Sequence, residues 1–320
     1  MKLVTYEINK QHRLGVVEGE SVVDVELALM RLAKGRVADT KLRRAVEALH
    51  KAGGVPRDMI GLLARGEKYL AALRRAVSWL VAGLDAKKAP KGLLTPLGRA
   101  RLRAPIARPG KITCVGLNYA DHAHEQGIEP PTSPIFFLKS VNTIVGPGDP
   151  VRLLADSSQI DYEAELAVVI GKGGRNISEE RALEHVAGYT LLNDVTARDF
   201  QFGDKQWFRG KSCDTFGPLG PWILTRDEIA DPHNLKITLT LNGQTVQDSN
   251  TSNLIFKIPY LVSYLSRSLT WEPGDLISTG TPPGVGVFRK PPVFLKAGDT
   301  MSVTVERIGT LTNPVVAPRV

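Results

Sequence analysis

The chain has 320 residues, 42% of them hydrophobic, with 41 Lys and Arg against 33 Asp and Glu and a formal net charge of +8. That is enough to bury a large core and long enough for two domains. Two cysteines make no disulfide framework, no apolar run approaches 18 residues, and Met1-Lys2-Leu3-Val4-Thr5-Tyr6-Glu7 carries no cleavable leader. These features exclude a disulfide scaffold and a membrane-embedded chain, and make the cytoplasm the expected compartment.

The amino-terminal third opens on three β-rich runs, Lys2-Leu3-Val4-Thr5-Tyr6, Arg13-Leu14-Gly15-Val16-Val17 and Ser21-Val22-Val23-Asp24-Val25. Two helices are expected next: residues 26–50 are rich in Ala and Leu, and Leu62, Tyr69, Leu73, Val77 and Leu80 recur at helical spacing. Gly53-Gly54-Val55-Pro56 breaks them. Ala89-Pro90-Lys91-Gly92 and Arg108-Pro109-Gly110 bracket a passage that divides a smaller α+β domain, residues 1–104, from a larger one, residues 105–320. The charge is uneven: residues 1–108 hold 22 Lys and Arg against 10 Asp and Glu, the remainder 19 against 23. Nucleic acid would be one partner for such an excess. The cations are scattered along amphipathic helices without interleaved aromatics or a binding motif, so a solvated helix face is expected instead.

Cys114-Val115-Gly116-Leu117-Asn118-Tyr119-Ala120-Asp121-His122-Ala123-His124-Glu125 reads as a strand running into a helical turn, on which His122 and Glu125, spaced i, i+3, can touch. An imidazole oriented by a carboxylate is the simplest general base for activating water; a surface helix start is the alternative. In Asp161-Tyr162-Glu163-Ala164-Glu165-Leu166-Ala167-Val168-Val169-Ile170, two glutamates interrupt an apolar β-run. Residues i and i+2 of a strand share a face, so Glu163 and Glu165 point where Ala167 and Val169 point, toward an interior. Unpaired carboxylates there are costly, and the remedies are a protonated pair or a hard divalent cation. A strand that simply ends at the surface is the alternative.

Asp194 closes the apolar run before Val195-Thr196-Ala197-Arg198-Asp199 and could complete a three-carboxylate site, whereas Asp199 suits a local ion pair or a cap. Gln201, Trp207 and Arg209-Gly210-Lys211-Ser212-Cys213-Asp214 follow, a loop-like stretch in which Lys211 is either an active-site ammonium or a solvated lysine. Lys236-Ile237-Thr238-Leu239-Thr240-Leu241, Asn242-Gly243 and Gln244-Thr245-Val246 predict a hairpin with a two-residue turn. Residues 258–268 predict a helix entered near Pro259, and residues 298–306 and 309–313 a closing strand pair. In Thr279-Gly280-Thr281-Pro282-Pro283-Gly284, glycines let backbone N–H groups approach an anion and a threonine adds a donor, though a tight turn would read the same way.

Taken together, Gly116-Leu117-Asn118-Tyr119-Ala120-Asp121-His122, Asp161-Tyr162-Glu163-Ala164-Glu165-Leu166, Asn193-Asp194-Val195-Thr196-Ala197-Arg198-Asp199, Arg209-Gly210-Lys211-Ser212 and Ser278-Thr279-Gly280-Thr281-Pro282-Pro283-Gly284-Val285-Gly286 closely resemble the fumarylacetoacetate hydrolase superfamily, over about residues 105 to 318. The resemblance implies a β-rich α+β chain built on a mixed β-roll, or β-clam, and commonly a homodimer. It implies that Glu163, Glu165 and Asp194 bind Mg²⁺ or Mn²⁺, with Ca²⁺ a third candidate. His122 and Glu125 would form a water-activating dyad on a lid, Lys211 would be catalytic, and Tyr119, Gln201, Gly280 and Thr281 would meet the substrate. Cys114-Val115-Gly116 lacks the extra aspartate ligand of fumarylacetoacetate hydrolase proper, which places the chain with the three-ligand subgroup of acylpyruvases, fumarylpyruvate hydrolases and 2-hydroxyhepta-2,4-diene-1,7-dioate isomerases. Leu117 stands where some acylpyruvate-cleaving relatives carry a basic residue.

The expected activity is metal-dependent hydrolysis of a C–C bond in an acylpyruvate-like 2,4-dioxo acid, with a decarboxylase of oxaloacetate-like acids or an isomerase of 2-hydroxy-dienedioates as the alternative. A non-enzymatic metal-binding protein is the third reading. The His122–Glu125 dyad argues against it, because a structural metal needs closed coordination and no adjacent base.

Overall fold

The computed structural model describes residues 1–34, 40–51, 53–84 and 89–318. A long sheet carries strands in the order Leu94–Pro96, Ser21–Asp24, Gln11–Glu18, Lys2–Ile8, Gly217–Thr225, Val186–Asn193, Ala164–Ile170, Leu276–Ser278, Ile112–Gly116 and Ile135–Leu138. Along that path only Leu276–Ser278 and Ile112–Gly116 run parallel. A second sheet orders Gln244–Asn250, Lys236–Leu241, Thr300–Val305, Gly309–Val316 and Val151–Arg152. The architecture is the strand-rich α+β roll that the sequence leads one to expect.

Ala164–Ile170 is the spine, and its alternation decides which layer packs where. Ala164, Leu166, Val168 and Ile170 face a core shared with the second sheet, through Ile237, Leu239 and Val303, and with the helix Ile258–Ser266, through Leu261 and Val262. Ala167 and Val169 face the opposite core, built with Leu62, Leu73 and Val77 of the amino-terminal helices. The strand is therefore buried on both faces, and Glu163 and Glu165 start on the side that turns toward the amino-terminal layer.

The strand is shorter than expected, since Ile160–Asp161 pairs separately with Thr196–Ala197 and regular pairing resumes only at Ala164. Three side chains account for the interruption. The N–H groups of Tyr162, Glu163 and Ala164 donate to Asp161 Oδ1 at 2.8 Å, Asn193 Oδ1 at 3.0 Å and Gln247 Oε1 at 2.9 Å, so none is left for a continuous ladder.

Among the described residues the amino-terminal part holds the helical segments Val25–Lys34, Thr40–Lys51, Met59–Ala64 and Gly66–Ala82, over the two stretches where helices were expected. Gly66 at φ +78° ends the third and starts the fourth, a conformation that a residue with a Cβ adopts at a cost. Lys2–Ile8 pairs with Gly217–Thr225, so the amino-terminal part shares a continuous sheet with the larger one across the expected boundary at residue 104. The hairpin Lys236–Leu241 and Gln244–Asn250 forms as expected, with Asn242 and Gly243 at φ 53° and 80°, the positive values a two-residue primed turn requires. Thr300–Val305 and Gly309–Val316 form the closing pair.

Candidate active site

The carboxylates converge because two strand ends are tied together. Asp194 N donates to Glu163 O at 2.9 Å, just beyond the last ladder pair, Ala164 with Asn193, of the strands Ala164–Ile170 and Val186–Asn193. Glu163, Glu165 and Asp194 consequently present oxygens within 4.8 Å of one another, all three buried. Three hard oxygen donors at this spacing suit a divalent cation of the Mg²⁺, Mn²⁺ or Ca²⁺ kind.

Three buried cations surround them. Lys211 Nζ donates to Glu163 Oε2 at 2.6 Å and to Asp194 Oδ2 at 2.7 Å. Lys139 Nζ lies 2.6 Å from Asp194 Oδ1, and Arg198 spans Asp161 at 2.8 Å and Glu163 at 2.7 Å. Glu165 has no cationic partner among the described residues; it accepts from the Ser278 hydroxyl and from Gly280 N at 3.1 Å. Electrostatics follow this division. Burial, then the neighbouring Asp194 and Glu163 carboxylates, push the Glu165 carboxyl well above the usual range. Burial also opposes ionisation of Glu163, but Lys211 and Arg198 outweigh it and hold that carboxyl low. Burial lowers the Lys211 ammonium less than Asp194 and Glu163 raise it, leaving it at about 12. Four buried carboxylates, counting Asp161, stand beside three buried cations, so the fourth charge calls for a proton on Glu165 or a bound cation.

The His122–Glu125 pair belongs to the same cavity. The helix Ala120–Glu125 starts beside Asp121, whose Oδ1 accepts from His122 N at 3.1 Å while its Oδ2 accepts from Ser249 and Asn253. His122 Nδ1 lies 2.8 Å from Glu125 Oε2, and Glu125 Oε1 accepts from Gly284 N at 2.9 Å. Gln126 Nε2 lies 2.9 Å from His122 Nε2, so the network assigns the proton to Nδ1 and leaves an accepting lone pair on Nε2. His122, Gln126, Glu163, Glu165, Arg198, Gln201, Lys211 and Thr281 share a cavity of about 100 Å³, whose apolar wall is Val115, Leu117, Phe137, Phe202, Trp207 and Phe288. Leu117 sits there at φ 52°, strained backbone of the kind that gathers at functional sites.

The carboxy-terminal domain model of fumarylacetoacetate (FAA) hydrolase matches residues 111–316. The chain belongs to the fumarylacetoacetate hydrolase family. Its relatives in that family include the oxaloacetate tautomerase FAHD2A, mitochondrial, of Bos taurus, 48% identical over 264 residues that cover 82% of this chain and 81% of the relative. Among solved family structures, fumarylacetoacetate hydrolase from psychrophilic Exiguobacterium antarcticum superposes with a TM-score of 0.79 at 36% identity, covering 99% of both chains. Maleylpyruvate hydrolase from Sphingobium sp. SYK-6, in complex with manganese(II) and pyruvate, superposes with a TM-score of 0.72 at 30% identity, covering 100% of both.

Two residues expected at the substrate lie elsewhere in this family member. Tyr119 is fully enclosed, its backbone bridged to Leu254 and its phenol outside the cavity wall and without a hydrogen-bond partner among the described residues. Burial, then the Glu165 charge, push that phenol far above its usual range. Gly280, at φ +98°, spends its N–H on Glu165, and an added Cβ would come within 2.9 Å of Asn118 Cβ. Gly280 therefore holds a carboxylate of the triad. Asp199 makes no pair with Arg198; it accepts from Ser157 Oγ at 2.8 Å and Phe200 N at 3.0 Å, while Arg198 turns inward. Thr281 accepts from Gln247 Nε2 at 2.9 Å, which leaves its own O–H to donate.

Lys139, Arg198 as a charge partner, and Gln126 were not legible in advance. Lys139 carries the only hint, a cation closing the apolar strand Ile135–Leu138.

Lys211 is no solvated lysine: it ends the short helix Phe208–Lys211 and is 2% exposed. Lys211→Met keeps most of the stem and deletes the charge. Turnover should fall about 100-fold or more, the scale of a lost donor in an oxyanion site. Calorimetric Mn²⁺ affinity should not weaken, because a competing cation has gone. Near-native turnover would assign Lys211 to structure alone.

Proposed function

We propose that the protein is an Mg²⁺- or Mn²⁺-dependent enzyme that interconverts the enol and keto forms of an oxaloacetate-like 2-oxo dicarboxylic acid. The observation that carries this reading is the cavity itself. Its volume of about 100 Å³ is lined by His122, by Glu163 and Glu165 of the carboxylate triad and by Lys211, which supports a base and an ammonium acting on one small metal-held acid. Ligand pockets for larger molecules run to roughly 300–1,000 Å³. The similarity to an oxaloacetate tautomerase supports the substrate class.

Glu163, Glu165 and Asp194 would hold the ion, which when bound supplies Lewis-acid polarisation of the substrate's 2-oxo oxygen. Tautomerisation then requires only that a proton move between the adjacent carbon and oxygen. His122, its Nδ1–H held by Glu125, takes and returns that proton at Nε2 once Gln126 yields its hydrogen bond. Lys211 offsets charge that develops on the enolate oxygen, and Gln201 and the Thr281 hydroxyl offer neutral donors to the distal carboxylate. With a divalent ion the buried groups sum to one positive charge, which favours an anionic ligand.

C–C hydrolysis of an acylpyruvate is the second reading, supported by the likeness to maleylpyruvate hydrolase, and it would use His122 on water instead of on carbon. A direct comparison separates them. Enolic oxaloacetate should lose its ultraviolet absorbance faster with protein and Mn²⁺ than with Mn²⁺ alone or metal-stripped protein. Acylpyruvates should release little pyruvate. Rapid pyruvate release without faster tautomerisation would replace the first reading by the second.

A further inference from the structure

We propose that Trp207 sets the length of substrate the site accepts, limiting it to 2-oxo acids that extend no more than two carbons beyond the 2-oxo carbon. The proposal rests on the functional reading above and adds the residue that enforces it. Trp207 belongs to the cavity wall, and its indole lies against the backbone of Gly116, at the end of the strand that leads into the His122 helix. An added Cβ at Gly116 would stand 2.4 Å from Trp207 Cζ3 and 2.8 Å from Cη2, so only glycine lets the ring close this far over the site. Phe137 meets the indole edge-on, with centroids 5.3 Å apart and planes at 69°, and packs under the Lys211 ammonium at 5.1 Å.

The wall is joined to the polar half of the site. The Trp207 carbonyl accepts from Lys211 N at 3.0 Å, so the indole and the ammonium issue from opposite ends of one turn. Residues 202–206 before it are exposed, and Trp207 itself is half-buried with one face on the cavity. In a cavity of about 100 Å³ walled by this ring, a longer acyl chain anchored at the triad has less room than a four-carbon diacid. Removing the ring opens a path from the cavity toward the exposed 202–206 segment without touching the carboxylates.

The test uses Trp207→Ala, Trp207→Phe and Gly116→Ala in the full-length, Mn²⁺-loaded protein. Binding is read by calorimetry with oxamate and N-alkyl oxamates of increasing chain length, and turnover with oxaloacetate and six- to eight-carbon 2,4-dioxo acids. Wild type should bind oxamate and reject the longer members. Trp207→Ala should raise the long-to-short preference at least about tenfold, the effect of one or a few methylenes in a pocket. Trp207→Phe should fall between, and Gly116→Ala should shift the preference the same way by displacing the intact indole. Mn²⁺ affinity should stay native in all three. An unchanged preference in both Trp207→Ala and Gly116→Ala, in folded protein, would overturn the proposal. The binding series reads the gate without turnover, so loss of the tautomerase reading and loss of the gate are distinguishable.

Discussion

Glu165→Gln should abolish Mn²⁺ binding and turnover together while leaving the metal-free fold intact. Glu165 is the carboxylate of the triad without a cationic partner, and in the metal-free protein burial and its two acidic neighbours already favour its neutral form. A glutamine reproduces that form: its oxygen, in the place of Oε2, accepts from both Gly280 N and the Ser278 hydroxyl. Metal-free thermal stability should therefore match wild type. What disappears is a ligand charge, and affinity should weaken by more than the roughly 10–100-fold that loss of an outer-shell partner costs. Saturating Mn²⁺ at about 100 times Kd stabilises wild type by about 2.7 kcal/mol, and that increment should be missing in the variant. Asp194→Ala offers the contrast. It also loses the metal, but strips Lys139 of its counter-ion and leaves Lys211 with Glu163 alone, and an orphaned buried charge costs about 3–5 kcal/mol. Its melting temperature should drop even without metal. Native Mn²⁺ affinity in Glu165→Gln would remove the triad from consideration as a metal site.

How much of this site could be read in advance depended on the range of the contact. The period-two logic that placed Glu163 and Glu165 on an interior face is local, as is the i, i+3 spacing that joined His122 to Glu125, and both geometries are present. Asn242-Gly243 announced its turn for the same reason: the dipeptide alone accepts two positive φ values. Lys139 meets Asp194 only because the edge strand Ile135–Leu138 and the strand Val186–Asn193 are brought into one sheet, a relation no window of sequence contains. The early break of the metal-bearing strand has a similar origin, since Asn193 and Gln247 reach in from other strands to take its N–H groups. Tyr119 was misplaced because its neighbours in the motif face the cavity while a helix start turns its own ring into the core. The amino-terminal strand illustrates the same limit at fold level. Lys2–Ile8 is legible as a strand from its own residues, whereas its pairing with the distant Gly217–Thr225 is not.

His122→Ala should slow enol–keto interconversion by about 10²–10⁴, the usual contribution of a positioned general base, without weakening Mn²⁺ binding. Among the described residues the imidazole's polar and ring partners are Glu125, Gln126 and the Phe288 ring at 5.9 Å, none of them in the triad, so the metal ligands lose no hydrogen bond when it is truncated. A rate loss alone would not separate a base from a packing element, and isotope exchange does. In D₂O, wild type should wash deuterium into the carbon beside the 2-oxo group at the rate of tautomerisation. His122→Ala should lose exchange and tautomerisation in parallel. Glu125→Gln keeps one accepting oxygen, for either the Nδ1–H or Gly284 N, and removes the charge that steadies a protonated imidazole, but it leaves the imidazole in place, so its loss should be smaller. Exchange that survives in His122→Ala while turnover falls would move the proton transfer to another group. The Lys211 side chain, which lines the same cavity, would then be the residue to examine, by the Lys211→Met variant under the same exchange conditions.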